Sequence, residues 1–191
     1  ADRMANLLVN DQSFKTEREV VQNERRFRME NSPDGSMYQE LFSEAFTRHP
    51  YHWPVIGYQE DLARMTAEDA RKFYTDFYSP NHATVIICGD VVPAEALRIV
   101  RKHYGALQPS KAPGHVLTPE PAQAEARRKD LKLNIQIEKL LLGFHIPATQ
   151  HEDLPAFELI QGVLTNGRSS RLNRALVETG IATEVYSEDL E

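Results

Sequence analysis

Residues 15–30 read Lys-Thr-Glu-Arg-Glu-Val-Val-Gln-Asn-Glu-Arg-Arg-Phe-Arg-Met-Glu. This stretch is rich in helix-forming residues and contains neither glycine nor proline, so we predict a helix. The run Asn-Ser-Pro-Asp-Gly at 31–35 should end it. Within the helix, Glu17 and Glu24 are separated by two turns, and their side chains therefore project from nearly the same face.

The surroundings of these two carboxylates are apolar, because Val20, Val21 and Phe27 lie close to the same face. Burial of two carboxylates beside such neighbours costs several kcal/mol or more unless something compensates the charge. Solvent, a local arginine, or a metal ion with histidine ligands could do so. The arginines within reach are Arg18, Arg25 and Arg28. The spacing alone favours solvated or salt-bridged carboxylates, although the metal alternative stays open.

The remaining segments predict an α+β protein with a helix-rich first part and a second part that opens on paired strands. Further helices are expected near residues 36–48, 66–78, 93–105, 153–164 and 170–178. Strands are expected at 82–90, 131–137 and 140–146, and from about Ala182. The strand at 131–137 is predicted because Leu131, Leu133, Ile135 and Ile137 alternate with polar residues.

Composition excludes some classes of function. The chain has 191 residues, of which 41% are hydrophobic and 26% charged, as in ordinary globular proteins. A net charge of -6 without a basic stripe argues against nucleic-acid binding. The apolar runs are too short for a membrane span, so we expect none. The single cysteine excludes an internal disulfide.

One segment is typical of an interdomain linker. Residues 106–122 contain four prolines, which remove backbone donors and disfavour helix. We therefore predict a first domain over 1–105, a linker over 106–122 and a second domain over 123–191.

Several motifs carry a family resemblance. Residues 17–24, Glu-Arg-Glu-Val-Val-Gln-Asn-Glu, resemble the Glu-Arg-x-Val-(x)3-Glu element of the pitrilysin and insulinase family of zinc metallopeptidases. That family includes the mitochondrial processing peptidases and their bacterial relatives, which this chain resembles most. Other family landmarks follow in order: His-Pro-Tyr-His-Trp-Pro-Val-Ile-Gly at 49–57, Tyr-Ser-Pro-Asn at 78–81, Gly-Asp-Val at 89–91, Gly-Phe-His at 143–145 and Ser-Ser-Arg-Leu at 169–172. Together they extend over most of the chain.

The resemblance implies a function and a site. Glu24 would be a zinc ligand, and Glu17 would be an acidic residue beside the metal that orients a histidine ligand. The intact protein would be a zinc-dependent endopeptidase that hydrolyses peptides through a metal-activated water. Its fold would pack helices on one face of mostly antiparallel sheets in two homologous domains, both incomplete here. The bacterial relatives also imply a periplasmic location.

Two departures from the family pattern qualify that expectation. The inverted zinc motif His-x-x-Glu-His, which supplies two ligands and the catalytic glutamate, does not occur in the chain. We interpret it as lying upstream of Ala1, so that the chain is an inactive fragment with weak or absent Zn²⁺ binding. The alternative is a non-catalytic assembly or partner subunit of the same fold.

The second departure concerns substrate binding. Many family members hold the peptide with an Arg and a Tyr seven residues apart, but the aligned positions here are Val177 and Glu184. The resemblance therefore implies that a partner half or subunit supplies that pair. His49 and His52 could suggest a second metal site by spacing, yet packing against Tyr51 and Trp53 is the favoured interpretation.

Overall fold

The computed structural model describes residues 2–111, 114 and 118–188. In this part of the chain the regular structure is helical, and loops join the helices. The α-helices are α1 Asp2–Ala5, α2 Asp11–Arg25, α3 Pro33–Ala45, α4 Gln59–Arg64, α5 Ala67–Phe77, α6 Pro93–Tyr104 and α7 Leu154–Thr165. Single π-type turns occur at Arg26–Glu30 and Asn173–Val177, and single 3-10 turns at Pro50–His52 and Pro80–His82.

The predicted α+β class, with helices packed on antiparallel sheets, is wrong for this structure, since none of the described residues forms a strand. The described segments at 82–90, 131–137, 140–146 and 182–188 run without ladder partners. Alternation of apolar and polar residues favours an extended backbone, but a strand exists only when a neighbour accepts and donates its hydrogen bonds. Ile86 and Leu140 are accordingly 80% and 83% exposed.

Helix α2 confirms the helix predicted from residues 15–30. Its start is set by Asn10, whose side-chain oxygen accepts a hydrogen bond of 2.8 Å from the backbone N–H of Ser13. The helix continues directly into the π-type turn Arg26–Glu30, so helical backbone extends to the predicted end.

Helix α3 begins earlier than predicted, because the Asn-Ser-Pro-Asp-Gly run starts a helix as well as ending one. The Ser32 hydroxyl accepts a hydrogen bond of 3.1 Å from the N–H of Gly35, and Pro33 lies in the first turn, where its missing donor costs nothing. A side chain at Gly35 would overlap the backbone carbonyl of Arg28 and would lie 3.1 Å from the Cα of Met29. Glycine therefore permits the close approach of α3 to the π-type turn.

The other helices mostly follow their local signals. Thr66 and Asp69 form the predicted capping box of α5, in which each side chain accepts a hydrogen bond from the backbone of the other. Pro93 opens α6, and Gly105 follows its last residue, as expected. Helix α7 matches the prediction within one residue, whereas the helix expected over 170–178 is largely the π-type turn Asn173–Val177.

The packing around α2 is largely polar. Helix α2 contacts α4 and α5, and the buried apolar residues of the described chain, Leu62 and Ala67, come from these two helices. Arg18 of α2 donates hydrogen bonds of 3.3 Å and 2.8 Å to the carbonyls of Ala63 and Met65 at the end of α4. The last carbonyls of a helix have no partner within the helix, so this arginine satisfies them and joins α2 to α4.

The chain divides into two compact units, Ala1–Leu142 and Gly143–Glu191. The second unit contains α7 and the turn Asn173–Val177, and hydroxyls of Thr165 and Ser187 form a hydrogen bond there. The linker predicted over 106–122 falls within the first unit, and its residues 112–113 and 115–117 lie outside the described residues. Among the described helices, none has both the length and the apolar character needed to cross a membrane.

Replacement of Gly35 by alanine should destabilise the chain, because the added Cβ would overlap a backbone carbonyl that cannot move independently. We expect a loss on the order of 1–3 kcal/mol in the free energy of unfolding, the usual range for forced overpacking. Chemical denaturation would measure it. Gly162→Ala in α7 is the control, since a Cβ there meets no atom within 4 Å and should stabilise the helix by about 0.5–1 kcal/mol. Equal effects of the two substitutions would contradict the close-approach argument.

Candidate functional site

The two candidate zinc-site glutamates both lie on α2. Glu17 is exposed, and the Glu24 side chain is 42% exposed. Seven residues of helix place their Cα atoms about 10 Å apart along the axis. Zinc–oxygen bonds are about 2 Å long, so one metal ion would reach both carboxylates only if the two side chains extended toward each other along the helix. The family resemblance assigns them different roles, with Glu24 as a ligand and Glu17 as a residue beside the metal.

An arginine, and no other described residue, pairs with Glu24. The guanidinium Nη2 of Arg28, one turn further along, lies 2.8 Å from Glu24 Oε1. Both side chains are substantially exposed, and ion pairs of this kind contribute at most about 1 kcal/mol. The pair is therefore weak enough for a stronger partner of Glu24 to replace it.

The other two arginines that the sequence offered have different partners. Arg18 binds carbonyl groups at the end of α4. Arg25 is buried, donates a hydrogen bond of 2.7 Å to Gln39 Oε1, and has its Nε 3.9 Å from the Glu30 carboxylate. Arg25 therefore joins the end of α2 to α3 and does not neutralise Glu24.

A metal centre requires several ligands in one place, and zinc in proteins usually takes at least three from the protein. Over residues 2–111, 114 and 118–188, no three His, Cys, Asp or Glu side chains lie close enough together to hold a metal ion. Glu24 supplies one carboxylate, and its polar partner is a cation. The described residues thus do not fit a zinc site by themselves, and the assignments of Glu17 and Glu24 stay predictions.

The two histidines of the loop at 46–58, which we name the aromatic loop, confirm the packing interpretation. The His49 ring lies 4.4 Å from the Tyr51 ring between centroids, and its Nδ1 accepts a hydrogen bond from the Tyr51 N–H. The His52 ring lies 4.9 Å from Trp53, and its Nδ1 is 2.7 Å from the carbonyl oxygen of Phe46. Both histidine rings therefore make packing and hydrogen-bond contacts within the loop.

Sequence reasoning missed the carboxylate that organises this loop. Glu120 accepts hydrogen bonds of 2.7–2.8 Å from the backbone N–H groups of Thr47, Arg48 and His49 and from the Thr47 hydroxyl. Partial burial by itself would raise the pKa of Glu120, but these four donors stabilise the ionised form and lower its pKa from 4.5 to about 2. No local pattern could have revealed the contact, since more than 70 residues separate the partners.

A cleft of about 200 Å³ opens elsewhere on the first unit, between the end of α2, α3 and the segment that contains Leu131. Its lining residues are Arg25, Met29, Glu30, Ser36, Gln39, Glu40, Leu131 and Leu133. Neither Glu17 nor Glu24 lines it. The cleft and the predicted zinc residues are therefore separate features.

Comparison with known families gives one match over most of the chain. Residues 64–191 match the family described as the peptidase M16 inactive domain. The match begins after α2, so it does not include Glu17 or Glu24.

Individual relatives agree with the family match. The chain is 34% identical to the zinc protease PqqE of Helicobacter pylori over 195 residues, which is 100% of this chain and 44% of that protein. The crystal structure of a protease from Helicobacter pylori superposes with a TM-score of 0.78 at 32% identity, covering 98% of this chain and 46% of that one.

A third comparison is more distant. The first half of the periplasmic protease PqqL from Escherichia coli aligns with a TM-score of 0.55 at 23% identity, over 63% of this chain and 25% of that one, and shows a likeness of fold alone. The chain spans less than half the length of these relatives.

The lowered pKa of Glu120 predicts a pH dependence of stability. A carboxylate whose folded-state pKa lies below its unfolded value stabilises the fold fully above the unfolded value and loses that effect as the pH falls. The free energy of unfolding of the chain should therefore exceed that of Glu120→Gln by a constant amount above about pH 5, and the difference should decrease between pH 4.5 and about 2. Denaturant titrations at several pH values would measure it. A difference that stays constant down to pH 2 would contradict the prediction, and Glu125→Gln controls for the loss of a nearby exposed carboxylate.

Proposed function

Because this chain belongs to the peptidase M16 family, we propose that it is part of a zinc-dependent endopeptidase and that alone it is inactive. The observation that carries the proposal is the match of residues 64–191 to the inactive domain of that family, together with a relative named zinc protease that aligns over the whole chain. The family resemblance predicted from the motifs at 17–24, 49–57 and 169–172 is confirmed.

Within the intact protein, we propose Glu24 as a zinc ligand and Glu17 as the residue that orients another ligand. Support comes from their position on one face of α2, from the partial exposure of Glu24, and from the weakness of its pair with Arg28. The remaining ligands would come from residues other than the described ones, among which no three candidate ligands lie together.

The proposed substrates are peptides, and a partner half or subunit would contribute the substrate-holding Arg and Tyr. Val177, at the end of the π-type turn, and the exposed Glu184 cannot replace those side chains. We also propose a periplasmic location, because the zinc protease PqqL of Escherichia coli, which is 28% identical over 147 residues, is described as periplasmic. We further propose that residues 106–122 join two domains of that enzyme, on the strength of their four prolines.

A second candidate function is that of a non-catalytic assembly or partner subunit of the same fold. The match to an inactive domain and the lack of a three-ligand cluster in the described residues favour it. Metal analysis of the longer protein separates the two. About one zinc per protein after dialysis supports the peptidase, whereas zinc-free protein without peptidase activity supports the subunit.

The 191-residue chain should neither retain zinc nor cleave peptides. A single carboxylate, already paired with Arg28, cannot replace a site that needs three protein ligands. Metal analysis after dialysis and a peptide-cleavage assay would check this. Stoichiometric zinc with chelator-sensitive cleavage would show that the chain contains a complete site.

In the longer protein, Glu24→Gln should greatly reduce zinc content and abolish turnover, while the circular dichroism spectrum stays unchanged. Glu17→Gln should have a milder effect, on the order of 10- to 100-fold, as expected for a residue that orients a ligand. Glu19→Gln, an exposed position on the same helix, is the matched control. If Glu24→Gln and Glu17→Gln behave like the control, both carboxylates are solvated helix residues and not part of a metal site.

A further inference from the structure

Residues 120–129 comprise the end of the proline-rich segment and the seven residues after it, and they cross the end of α3. We name residues 120–129 the strap. At its start, Glu120 accepts the four hydrogen bonds from the aromatic loop at Thr47, Arg48 and His49. Three consecutive backbone N–H groups that converge on one carboxylate make a strong, charge-assisted contact.

The other end of the strap binds α3 itself. The Arg127 guanidinium donates hydrogen bonds to the carbonyl oxygens of Glu44 and Ala45, the last two residues of the helix. The Lys129 ammonium lies 3.6 Å from the Glu40 carboxylate and 3.8 Å from that of Glu44. A cation at a helix C-terminus is favourable both for the unpaired carbonyls and for the helix dipole.

The two ends of the strap therefore pair with opposite kinds of backbone group at the end of α3. Arg127 supplies donors to the carbonyls that α3 leaves unpaired, and Glu120 supplies an acceptor to the N–H groups that come directly after the helix. Without the strap, those backbone groups would need water or a different loop conformation. The conformation of the aromatic loop is thus tied to a segment far away in the sequence.

The aromatic loop in turn presents apolar side chains to solvent. The exposed fractions of Tyr51 and Trp53 are 49% and 51%, and Val55 is fully exposed. The hydroxyl of Tyr58 donates a hydrogen bond of 3.0 Å to the carbonyl of His52, which closes the loop on itself. These side chains lie directly after the residues that Glu120 holds.

We propose that residues 120–129 are a conformational strap with Glu120 as its latch, and that release of the latch changes how the aromatic loop presents Tyr51, Trp53 and Val55. The strap and the loop move between two states together: with Glu120 bound, both have a fixed conformation, and with Glu120 released, both lose it. The strap is largely exposed in the structure, and loss of its fixed conformation should let a protease bind and cleave it faster. Glu120 acts as a positioning residue for the loop.

The test uses two readouts on the 191-residue chain. Trp53 is the only tryptophan in the sequence, so its fluorescence emission and its quenching by acrylamide report on the aromatic loop alone. Limited trypsin cleavage after Arg127 and Arg128 reports on the strap. Cleavage rates follow the population of the opened form when opening is fast.

Glu120→Gln keeps the shape of the side chain but removes its charge and directs an amide N–H toward the donors. We expect cleavage at Arg127 and Arg128 about three- to tenfold faster, and more efficient quenching of Trp53. Glu120→Asp should partly restore both values. Glu125→Gln, which removes an exposed carboxylate within the same segment, should behave like the unchanged chain.

Thr47→Val gives a second, milder variant in case Glu120→Gln does not fold, since it removes one of the four hydrogen bonds and keeps the size of the side chain. Its cleavage rate and its quenching should both rise by a smaller factor, and its effect should largely disappear in the Glu120→Gln background. The proposal is overturned if Glu120→Gln and Glu125→Gln give the same result, if cleavage changes without any change in Trp53, or if Thr47→Val matches the unchanged chain in both readouts.

Discussion

Backbone N–H and C=O groups at helix ends have no partner within their own helix, and in the first unit side chains from distant parts of the sequence supply one. Arg18 donates hydrogen bonds to carbonyl groups at the end of α4, and Arg127 does so at the end of α3. Glu120 accepts hydrogen bonds from N–H groups of the loop that follows α3. Among the described residues, the buried apolar ones are Leu62 and Ala67, so apolar burial is small. Polar contacts therefore contribute much of the interaction that positions one element against another.

The arginines on α2 and in the turn that follows it have different partners. Arg18 and Arg25 on α2 bind groups of α4 and α3, whereas Arg28 in the π-type turn pairs with Glu24. Arg25 is buried, and its removal would leave Gln39 and Glu30 without that partner. Arg28 is exposed and its ion pair with Glu24 is weak. A partner that binds the Glu24 carboxylate more strongly, such as a metal ion, could therefore displace Arg28.

The aromatic loop connects the fold to the family assignment. It contains the His-Pro-Tyr motif, one of the motifs that carry the family resemblance, and its two histidines take part in ring packing and in hydrogen bonds within the loop. The landmark is therefore a structural element in this chain. Its order depends on Glu120, which belongs to no landmark that we identified in the sequence.

Local signals in the sequence determined the helices, because a cap, a proline or a glycine acts within a few residues of itself. The capping box at Thr66 and the proline at Pro93 placed α5 and α6 correctly, and the motifs also determined the family. The strands were predicted wrongly, because alternation records only a tendency and pairing depends on a distant partner. For the same reason only the tertiary structure decided that Gly35 lies against Arg28 and that Glu120 binds the loop at Thr47. Each of these contacts forms only when the fold brings two segments of the chain together. Its free energy depends on both segments and on their arrangement, so the residues of one segment alone do not predict it.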